Sequence, residues 1–344
     1  MTVLGSASAI EVEHLSKTYG TFTAIRDISF QVNAGEIMGF LGPNGAGKTT
    51  SMRILTGFLP ASEGTARVAG FDINQDSMAV RQRIGYLPEN PPLYTEMTVE
   101  GYLHFVAQLK RVSPGDRATQ VNRAIQRCSL EEKRHTLIRK LSKGFKQRVG
   151  IAQALVHDPP VIILDEPTVG LDPKQIIEVR NLIKSLAGEH TIILSTHILP
   201  EVSMTCDRVV IINRGQVAAI GTPSELTAQF QGQHQAHLHI GAASETAIRT
   251  ALERIPQVQI LSLEPRTAVE SQRWQLQLSS STPVDTWIPE VAKALIQSDM
   301  ALYEIGRSQA SLEEIFLQLT TQERSGQEGS DSAPDSEIPE EAAA

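Results

Sequence analysis

After the apolar run Glu36–Leu41 the chain continues with Gly42, Pro43, Asn44, Gly45, Ala46, Gly47, Lys48, Thr49 and Thr50, and a segment with helical spacing follows. Glycines allow the backbone to curl closely, so that successive N–H groups and the start of the helix face an anion. In this pattern the lysine reaches the outer phosphates of a nucleotide, and the first threonine can bind Mg²⁺. The strand–loop–helix context favours a phosphate-binding loop over a chance glycine-rich turn.

A second apolar run, Val161–Asp165, ends in the adjacent carboxylates Asp165 and Glu166. An aspartate at this place can hold Mg²⁺, and Glu166 can polarise a water for attack on the terminal phosphate. Many buried strands end in acidic residues, so this feature is weak alone. Together with the phosphate loop it predicts hydrolysis of a nucleoside triphosphate.

Four further segments make the chain resemble the ABC (ATP-binding cassette) ATPases. The segment Leu141–Arg148 resembles the ABC signature, and Val169–Asp172 resembles the D-loop, which ends in Asp172. Thr196 and His197 resemble the switch histidine that follows a strand, and Tyr19 matches the aromatic residue that stacks on adenine. These elements occur in the family's order between residues 10 and 230, so the resemblance is specific.

The resemblance implies an α/β fold: a P-loop ATPase core with a helical subdomain. It also implies a head-to-tail dimer with a second copy or a related ATPase subunit, in which two ATP molecules are sandwiched. Each signature would contact the ATP held by the other subunit, through Ser142, Lys143, Gly144 and Phe145. A separate transmembrane permease is the implied partner, and ATP and Mg²⁺ are the implied cofactors. The chain would then lie in the cytoplasm, on the inner face of the membrane.

Two departures from the family pattern place the chain in a subclass. Lys143 replaces the usual second glycine of the signature, and Phe145 replaces its final glutamine. Glu89 stands where many relatives carry glutamine, so it keeps an oxygen for the metal and loses an amide donor. Both features resemble bacterial exporter ATPases of the drug-resistance and gliding-motility kind.

Composition excludes several other classes of protein. The 344 residues contain no apolar run long enough to span a membrane. The net charge is −8, of which −6 falls after residue 322, so the remainder carries only −2. A nearly neutral body gives no general electrostatic reason to bind nucleic acid. The basic segment 133–148 is interpreted as a solvated helical face, although its seven lysines and arginines could also suggest nucleic acid.

The pattern divides the chain into four parts. Residues 1–9 form an N-terminal extension, and residues 10–235 form the ATPase domain, with its helical subdomain at about 98–150. Residues 236–322 carry a βαββαβ order that matches a ferredoxin-like accessory domain of α+β type, closed by a last helix. The acidic segment 323–344 is predicted to be disordered. His234, His237 and His239 are favoured as exposed strand polarity over a metal site, since no further ligand is evident.

Two competing functions remain open at this point. A soluble ABC protein acting on ribosomes or DNA is one, although such relatives carry two cassettes or long coiled coils, and this chain shows a single unbroken cassette. A non-hydrolysing regulatory cassette is the other, although every expected catalytic residue is present.

Overall fold

The computed structural model describes residues 8–229, 234–241, 244–253, 255–266, 273–308 and 312–321. Residues 1–7 and the predicted tail 323–344 lie outside this part of the chain. The strands are β1 Ser8–Tyr19, β2 Phe22–Asn33, β3 Ile37–Leu41, β4 Glu63–Val68, β5 Phe71–Asp72, β6 Ile84–Leu87, β7 Val161–Asp165, β8 Thr191–Thr196, β9 Arg208–Asn213, β10 Gln216–Gly221, β11 His234–Gly241, β12 Val258–Arg266, β13 Arg273–Ser280 and β14 Ala301–Ser308. The helices are α1 Lys48–Leu55, α2 Ser77–Arg83, α3 Val99–Leu109, α4 Arg117–Arg127, α5 Lys143–Leu155, α6 Pro173–Leu186, α7 Leu199–Thr205, α8 Pro223–Gln229, α9 Glu245–Leu252, α10 Val284–Gln297 and α11 Leu312–Thr321. No helix in these ranges is long and apolar enough to cross a lipid bilayer.

The central element is a six-stranded sheet in the order β10-β9-β3-β8-β7-β6. Its strands pair in parallel from β9 to β6, and only β10 is antiparallel. Strands β3, β7 and β8 are buried along their whole length. Successive side chains point to opposite faces, so Ile162 and Leu164 enter one core while Val161 and Ile163 enter the other. This two-sided burial explains why the strands read as unbroken apolar runs.

An antiparallel sheet in the order β2-β1-β4-β5 covers one of these cores. Ile10, Val12 and Leu15 of β1 are buried there with Ile25 and Phe30 of β2. The sequence analysis did not identify this sheet as a unit.

The other core is covered by helices from the segment predicted to be purely helical. Helices α3, α4 and α5 pack on one another through Val99, Tyr102, Val121 and Ile125. Thr98 begins α3 by accepting a hydrogen bond from the Gly101 amide at 3.2 Å. The last of these helices, α5, runs to Leu155, five residues beyond the predicted end of the subdomain at 150.

A second unit has its own core beneath a four-stranded sheet in the order β12-β13-β11-β14. All neighbouring strands are antiparallel, and their order with α9 and α10 is the predicted βαββαβ order. Trp287 of α10 is fully buried in this core, and its indole N–H donates to the Thr282 carbonyl at 3.1 Å. On β11, His239 lies 2.8 Å and His237 3.5 Å from carboxylate oxygens of Glu304.

The last helix, α11, belongs structurally to the first unit. Leu312 joins the core on one face of the six-stranded sheet, with Phe316 and Leu319 packed against it. The side-chain amide of Asn213 donates to the Leu319 carbonyl at 3.2 Å. The sequence analysis grouped this helix with the accessory domain, and that assignment was wrong. The spacing of the apolar residues shows that one face is buried, but it carries no information on which core buries it.

Replacing Ile315 by alanine should destabilise the first unit, because this side chain is 1% exposed on the helix whose Leu312 joins that unit's core. A buried isoleucine truncated to alanine typically costs about 2–5 kcal/mol. ATP stabilises the unit that binds it, so thermal melting with and without ATP identifies the relevant transition. That transition should fall for Ile315→Ala and stay unchanged for the exposed control Glu313→Ala. An unchanged ATP-dependent transition in the Ile315 variant would contradict the packing of α11.

Candidate functional site

Residues 42–47 connect β3 to α1 in a loop that other backbone segments approach closely. Gly47 has a φ of 103°, and a Cβ atom there would lie 2.7 Å from the Ala24 carbonyl oxygen. A Cβ on Gly42 would lie 2.5 Å from the Ile212 carbonyl oxygen. No side chain caps the N-terminus of α1. The first N–H groups of α1 therefore face a loop built to take an anion.

A turn from the distant hairpin β9–β10 holds this loop in place. The Gly215 amide donates to the Ala46 carbonyl at 3.0 Å, and the Gly215 carbonyl accepts from the Arg26 amide at 2.8 Å. The phosphate loop is thereby tied to both β-sheets.

Lys48, at the first position of α1, is only 6% exposed. Its ammonium donates to the Gly42 carbonyl at 2.8 Å and the Pro43 carbonyl at 3.2 Å, and it lies 3.4 Å from Glu166 Oε1. Thr49 and Thr50 follow it on the helix. The cation is thus fixed at the mouth of the loop, where it compensates a buried carboxylate.

Asp165 ends β7 and is completely buried. Its Oδ1 accepts from the Ser195 hydroxyl at 2.8 Å, and the Thr49 hydroxyl is close enough to lower the pKa of the carboxyl group. Its Oδ2 has no hydrogen-bond partner in the described part of the chain. Burial raises the pKa of Asp165, and the charges of Glu166 and Glu89 raise it further. A buried carboxylate with an unused oxygen beside a threonine hydroxyl fits a small cation that prefers oxygen ligands, such as Mg²⁺.

Glu166 lies one residue further, with a φ of 49°. A non-glycine residue in this region is strained by about 1–3 kcal/mol and persists only where its neighbours hold it. Here the Glu166 amide donates to the Ser195 carbonyl at 3.0 Å. The carboxylate lies 2.9 Å from Nδ1 of His197, which follows β8 directly. The structure therefore brings Lys48, Glu166 and His197 into one chain of contacts.

Two other predicted site residues, Glu89 and Tyr19, are exposed. Glu89 is exposed in the loop after β6, close enough to influence the Asp165 carboxyl. Tyr19 ends β1 with 42% of its surface exposed, and Lys17 Nζ lies 5.2 Å from the centre of its ring. An accessible aromatic face is what stacking on a nucleobase needs.

The signature residues form a second cluster, around the N-termini of α5 and α6. Ser142 caps α5, its hydroxyl lying 3.5 Å from the Phe145 amide. A Cβ on Gly144 would lie 2.6 Å from the Gln175 side chain, and one on Gly170 would lie 2.0 Å from Lys143 Nζ. These signature residues therefore pack against α6 and the loop before it.

Phe145 and Asp172 have local roles in the same cluster. Lys133 and Arg148 flank the Phe145 ring, with cationic atoms 5.5 and 5.8 Å from its centre. Asp172 caps α6 by accepting from the Gln175 amide at 2.9 Å, just before Pro173 at the first helical position. The capping role accounts for Asp172 without any ligand.

Comparison with known proteins supports the family resemblance. The ABC transporter family model matches residues 25–169. The ABC transporter ATP-binding protein YhcH of Bacillus subtilis is 32% identical over 91% of this chain and 96% of its own length. The linearmycin resistance ATP-binding protein LnrL of the same organism is 30% identical, over 90% of this chain and 98% of its own.

This chain belongs to the ATP-binding proteins of ABC transporters. As a member of that family, it is an ATPase. A solved ATP-binding subunit of an ABC transporter is 32% identical and covers 64% of this chain and 93% of its own, with a TM-score of 0.60. The dimeric bacterial ABC transporter cassette MJ0796 is 25% identical and covers 62% and 98%, with a TM-score of 0.57.

The ABC cassette also contains residues near the site that the sequence analysis missed. Ser195 bonds Asp165, and Gly215 holds the phosphate loop. Glu201 is buried on α7, where it accepts hydrogen bonds from Thr196 and Thr168. Ser195 adjoins Thr196 and could have been found by its place at a strand end. No local sequence pattern marks the roles of Gly215 and Glu201. Gly215 bonds residues that are remote in the chain, and Glu201 reaches Thr168 and Thr196 only because α7 folds back on them.

The buried charge of Asp165 predicts a trade between stability and metal binding. Because the folded pKa of Asp165 is raised, its proton is held more tightly in the folded state, and stability is lost as pH rises through the ordinary range of an aspartate. At neutral pH, Asp165→Asn should therefore raise the free energy of unfolding in metal-free buffer, because the buried negative charge is removed.

Thermal melting at neutral pH measures this effect, with the exposed residue Asp158 as control through Asp158→Asn. Adding Mg²⁺ with a non-hydrolysable ATP analogue should stabilise the wild type further and the Asp165 variant much less. Equal stabilisation of both proteins by Mg²⁺ would show that Asp165 does not bind the metal.

Proposed function

We propose that this chain is the motor subunit of an ABC exporter, which closes on a second cassette with ATP and drives a separate permease. The observation that carries the proposal is the convergence of Lys48, Asp165, Glu166 and His197 at one edge of the parallel sheet. Strands β3, β7 and β8 are neighbours in the sheet, so the residues at their carboxyl ends meet there. Ligands of open parallel sheets bind at this edge.

In this proposal the phosphate loop holds the phosphates of ATP, and Tyr19 stacks on adenine. A phosphate oxygen would replace the carbonyl groups of Gly42 and Pro43 as a partner of Lys48. Thr49, Asp165 and Glu89 would hold Mg²⁺, which supplies charge neutralisation on the phosphates when bound. The unused Oδ2 of Asp165 supports this role.

Glu166 is proposed to orient the attacking water and take its proton as the bond to the terminal phosphorus forms. The contacts of this carboxylate with His197 at 2.9 Å and Lys48 at 3.4 Å support such an orientation. The bond from the terminal phosphorus to the bridging oxygen then breaks, releasing ADP and phosphate.

The signature is proposed to act on a second cassette. Ser142, Lys143, Gly144 and Phe145 start α5, and their described contacts run to α6 and its preceding loop. The hydroxyl and N–H groups at this helix start would meet the terminal phosphate of an ATP bound by the other subunit. The D-loop with Asp172 lies beside it. The dimeric cassette MJ0796 supports a two-subunit arrangement.

A groove beside β6 is proposed to receive a short cytoplasmic helix of the permease. The β6 groove is lined by Thr56, Phe58, Arg81, Ile84, Tyr86 and Lys110. Phe58 is 69% exposed, and burial lowers the pKa of Lys110 to about 8. An exposed aromatic side chain beside a partly desolvated lysine is typical of a protein interface. Strand β6 leads directly to Glu89, so movement in the groove can reach the metal-binding loop.

The relatives support the proposed direction and location. LnrL is named for resistance to linearmycin, which favours export, and the chain would act in the cytoplasm on the inner face of the membrane. Cations of the basic segment 133–148 are partly neutralised: Arg139 lies 3.1 Å from Glu96, Arg134 lies 3.6 Å from Glu100, and Arg148 pairs with Glu178. This pairing disfavours the competing role on ribosomes or DNA.

Replacing Glu166 by glutamine should trap the ATP-bound dimer. The amide is nearly isosteric, so ATP and Mg²⁺ should still bind, but proton transfer to the carboxylate is lost. General-base catalysis is typically worth about 10²–10⁴-fold in rate. Size exclusion with ATP and Mg²⁺ should therefore show a stable dimer with little phosphate release.

The matched control is the double variant Glu166→Gln/Ser142→Arg, which should bind ATP with unchanged affinity and remain monomeric. Turnover of the single variant within a few-fold of wild type would remove Glu166 from the catalytic role. Loss of ATP affinity in the double variant would place Ser142 in its own subunit's site.

Replacing Phe58 by aspartate should weaken attachment to the membrane without affecting basal ATP hydrolysis. Sedimentation of the purified chain with membrane vesicles that contain its permease should fall by on the order of tenfold, since an interface anchor is typically worth at least 1.4 kcal/mol. The control is Leu261→Asp, an exposed apolar residue on β12. Equal sedimentation of both variants would contradict the β6 groove, and sedimentation of the wild type with ribosomes instead would favour the soluble alternative.

A further inference from the structure

A buried carboxylate outside the ATP site joins the two loops that carry the catalytic residues. Glu201 lies in the first turn of α7 and is 4% exposed. Its Oε2 accepts from the Thr196 hydroxyl at 2.8 Å, and its Oε1 accepts from the Thr168 hydroxyl. Both threonines are themselves buried. No lysine, arginine or histidine in the described ranges forms an ion pair with Glu201.

The positions of the two threonines give this cluster its significance. Thr196 directly precedes His197, and Thr168 follows Glu166 by two residues. The Thr196 hydroxyl also accepts from the Ile198 amide at 3.0 Å. It therefore ties the residue before His197 to the residue after it. One carboxylate therefore fixes the backbone next to both members of the Glu166–His197 contact.

The other described contacts of Glu166 and His197 do not by themselves fix both residues. Two backbone hydrogen bonds hold the strained backbone of Glu166: its amide donates to the Ser195 carbonyl at 3.0 Å, and its carbonyl accepts from the Val169 amide at 3.3 Å. His197 is more exposed, with 42% of its side chain open to solvent, so packing alone does not fix its ring. A bridge between Thr168 and Thr196 limits the distance by which these two loops can separate.

We propose that Glu201 is a positioning residue that keeps Glu166 and His197 in the geometry for hydrolysis, by bridging Thr168 and Thr196. If Glu201 had only a structural role, any side chain that filled its buried position and hydrogen-bonded the polar groups there would serve. The bridge requires instead a group that accepts hydrogen bonds from two hydroxyls at once. A carboxylate offers two acceptor oxygens for this, whereas a carboxamide offers one acceptor oxygen and an NH₂ donor. The proposal rests on the catalytic roles proposed above for Glu166 and His197.

The test compares Glu201→Gln and Glu201→Ala with the wild type in three measurements: ATP affinity, kcat and KM for hydrolysis, and thermal melting. Neither variant touches the phosphate loop, so ATP affinity and KM should stay within about twofold. Misplacement of a catalytic group by about 1 Å can lower the rate by about 10²-fold, and kcat of Glu201→Ala should fall toward that value. Glu201→Gln, which keeps the volume and one acceptor, should lie between the alanine variant and the wild type.

A threonine series keeps the proposal testable if Glu201→Ala folds poorly. Thr168→Val and Thr196→Val each remove one donor with little change of volume, and each should lower kcat without raising KM. In the Glu201→Gln background the valine substitutions should have a smaller effect than in the wild type, because the bridge is already weakened. The exposed control Ser203→Ala, on the same helix, should be neutral.

Parallel measurement of Glu166→Gln separates the two levels of proposal. If Glu166→Gln keeps turnover, the catalytic assignment fails and the role of Glu201 fails with it. If Glu166→Gln is inactive but the Glu201 and threonine variants hydrolyse ATP at the wild-type rate, or lose activity only in proportion to their melting temperatures, the positioning role alone is overturned. Additive effects of Thr168→Val and Glu201→Gln would also overturn it.

Discussion

Burying ionised side chains at the ends of β3, β7 and β8 is the constraint on which the rest of the cassette depends. Lys48, Asp165 and Glu166 are each less than a tenth exposed, and an unpaired charge at such depth would cost several kcal/mol. The contacts of Lys48 with Glu166 and the loop carbonyls offset part of this cost, and the hydrogen bond from Ser195 to Asp165 offsets another part. The pairing exists only because parallel strands bring their carboxyl ends to one edge.

The surrounding structure serves this arrangement in identifiable ways. The antiparallel sheet and the Gly215 turn hold the phosphate loop from one side. Helices α3 to α5 close the opposite core, and α5 carries the signature residues at its N-terminus. In the proposed dimer, the free N–H groups at the start of α5 would act on a nucleotide held by the second molecule. Oδ2 of Asp165 remains without a described partner, which is consistent with a place reserved for a metal.

The accessory unit is joined to the cassette at both of its ends. Helix α8 precedes β11 and packs on β10, while α11 follows β14 and packs against α8, α7 and the core of the ATPase sheet. Since α7 also carries Glu201, the return of the chain through α11 places an accessory-unit connection next to the helix that bridges the catalytic loops.

The sequence by itself determined the chemistry of the site and the parallel core. The phosphate loop, Asp165–Glu166 and Thr196–His197 are local patterns, since each residue's role depends on the strand end or helix start that its own neighbours form. Two-sided burial also makes β3, β7 and β8 legible as continuous apolar runs. The βαββαβ order of the second unit was predicted from the succession of strand and helix patterns along residues 236–322. Tertiary structure alone decided the partners: the Gly215 turn under the phosphate loop, Glu201 between Thr168 and Thr196, and the return of α11 to the first core. Those contacts join residues that are remote in the chain or of ordinary type, and neither spacing nor composition records which surface a buried face or a buried carboxylate will meet.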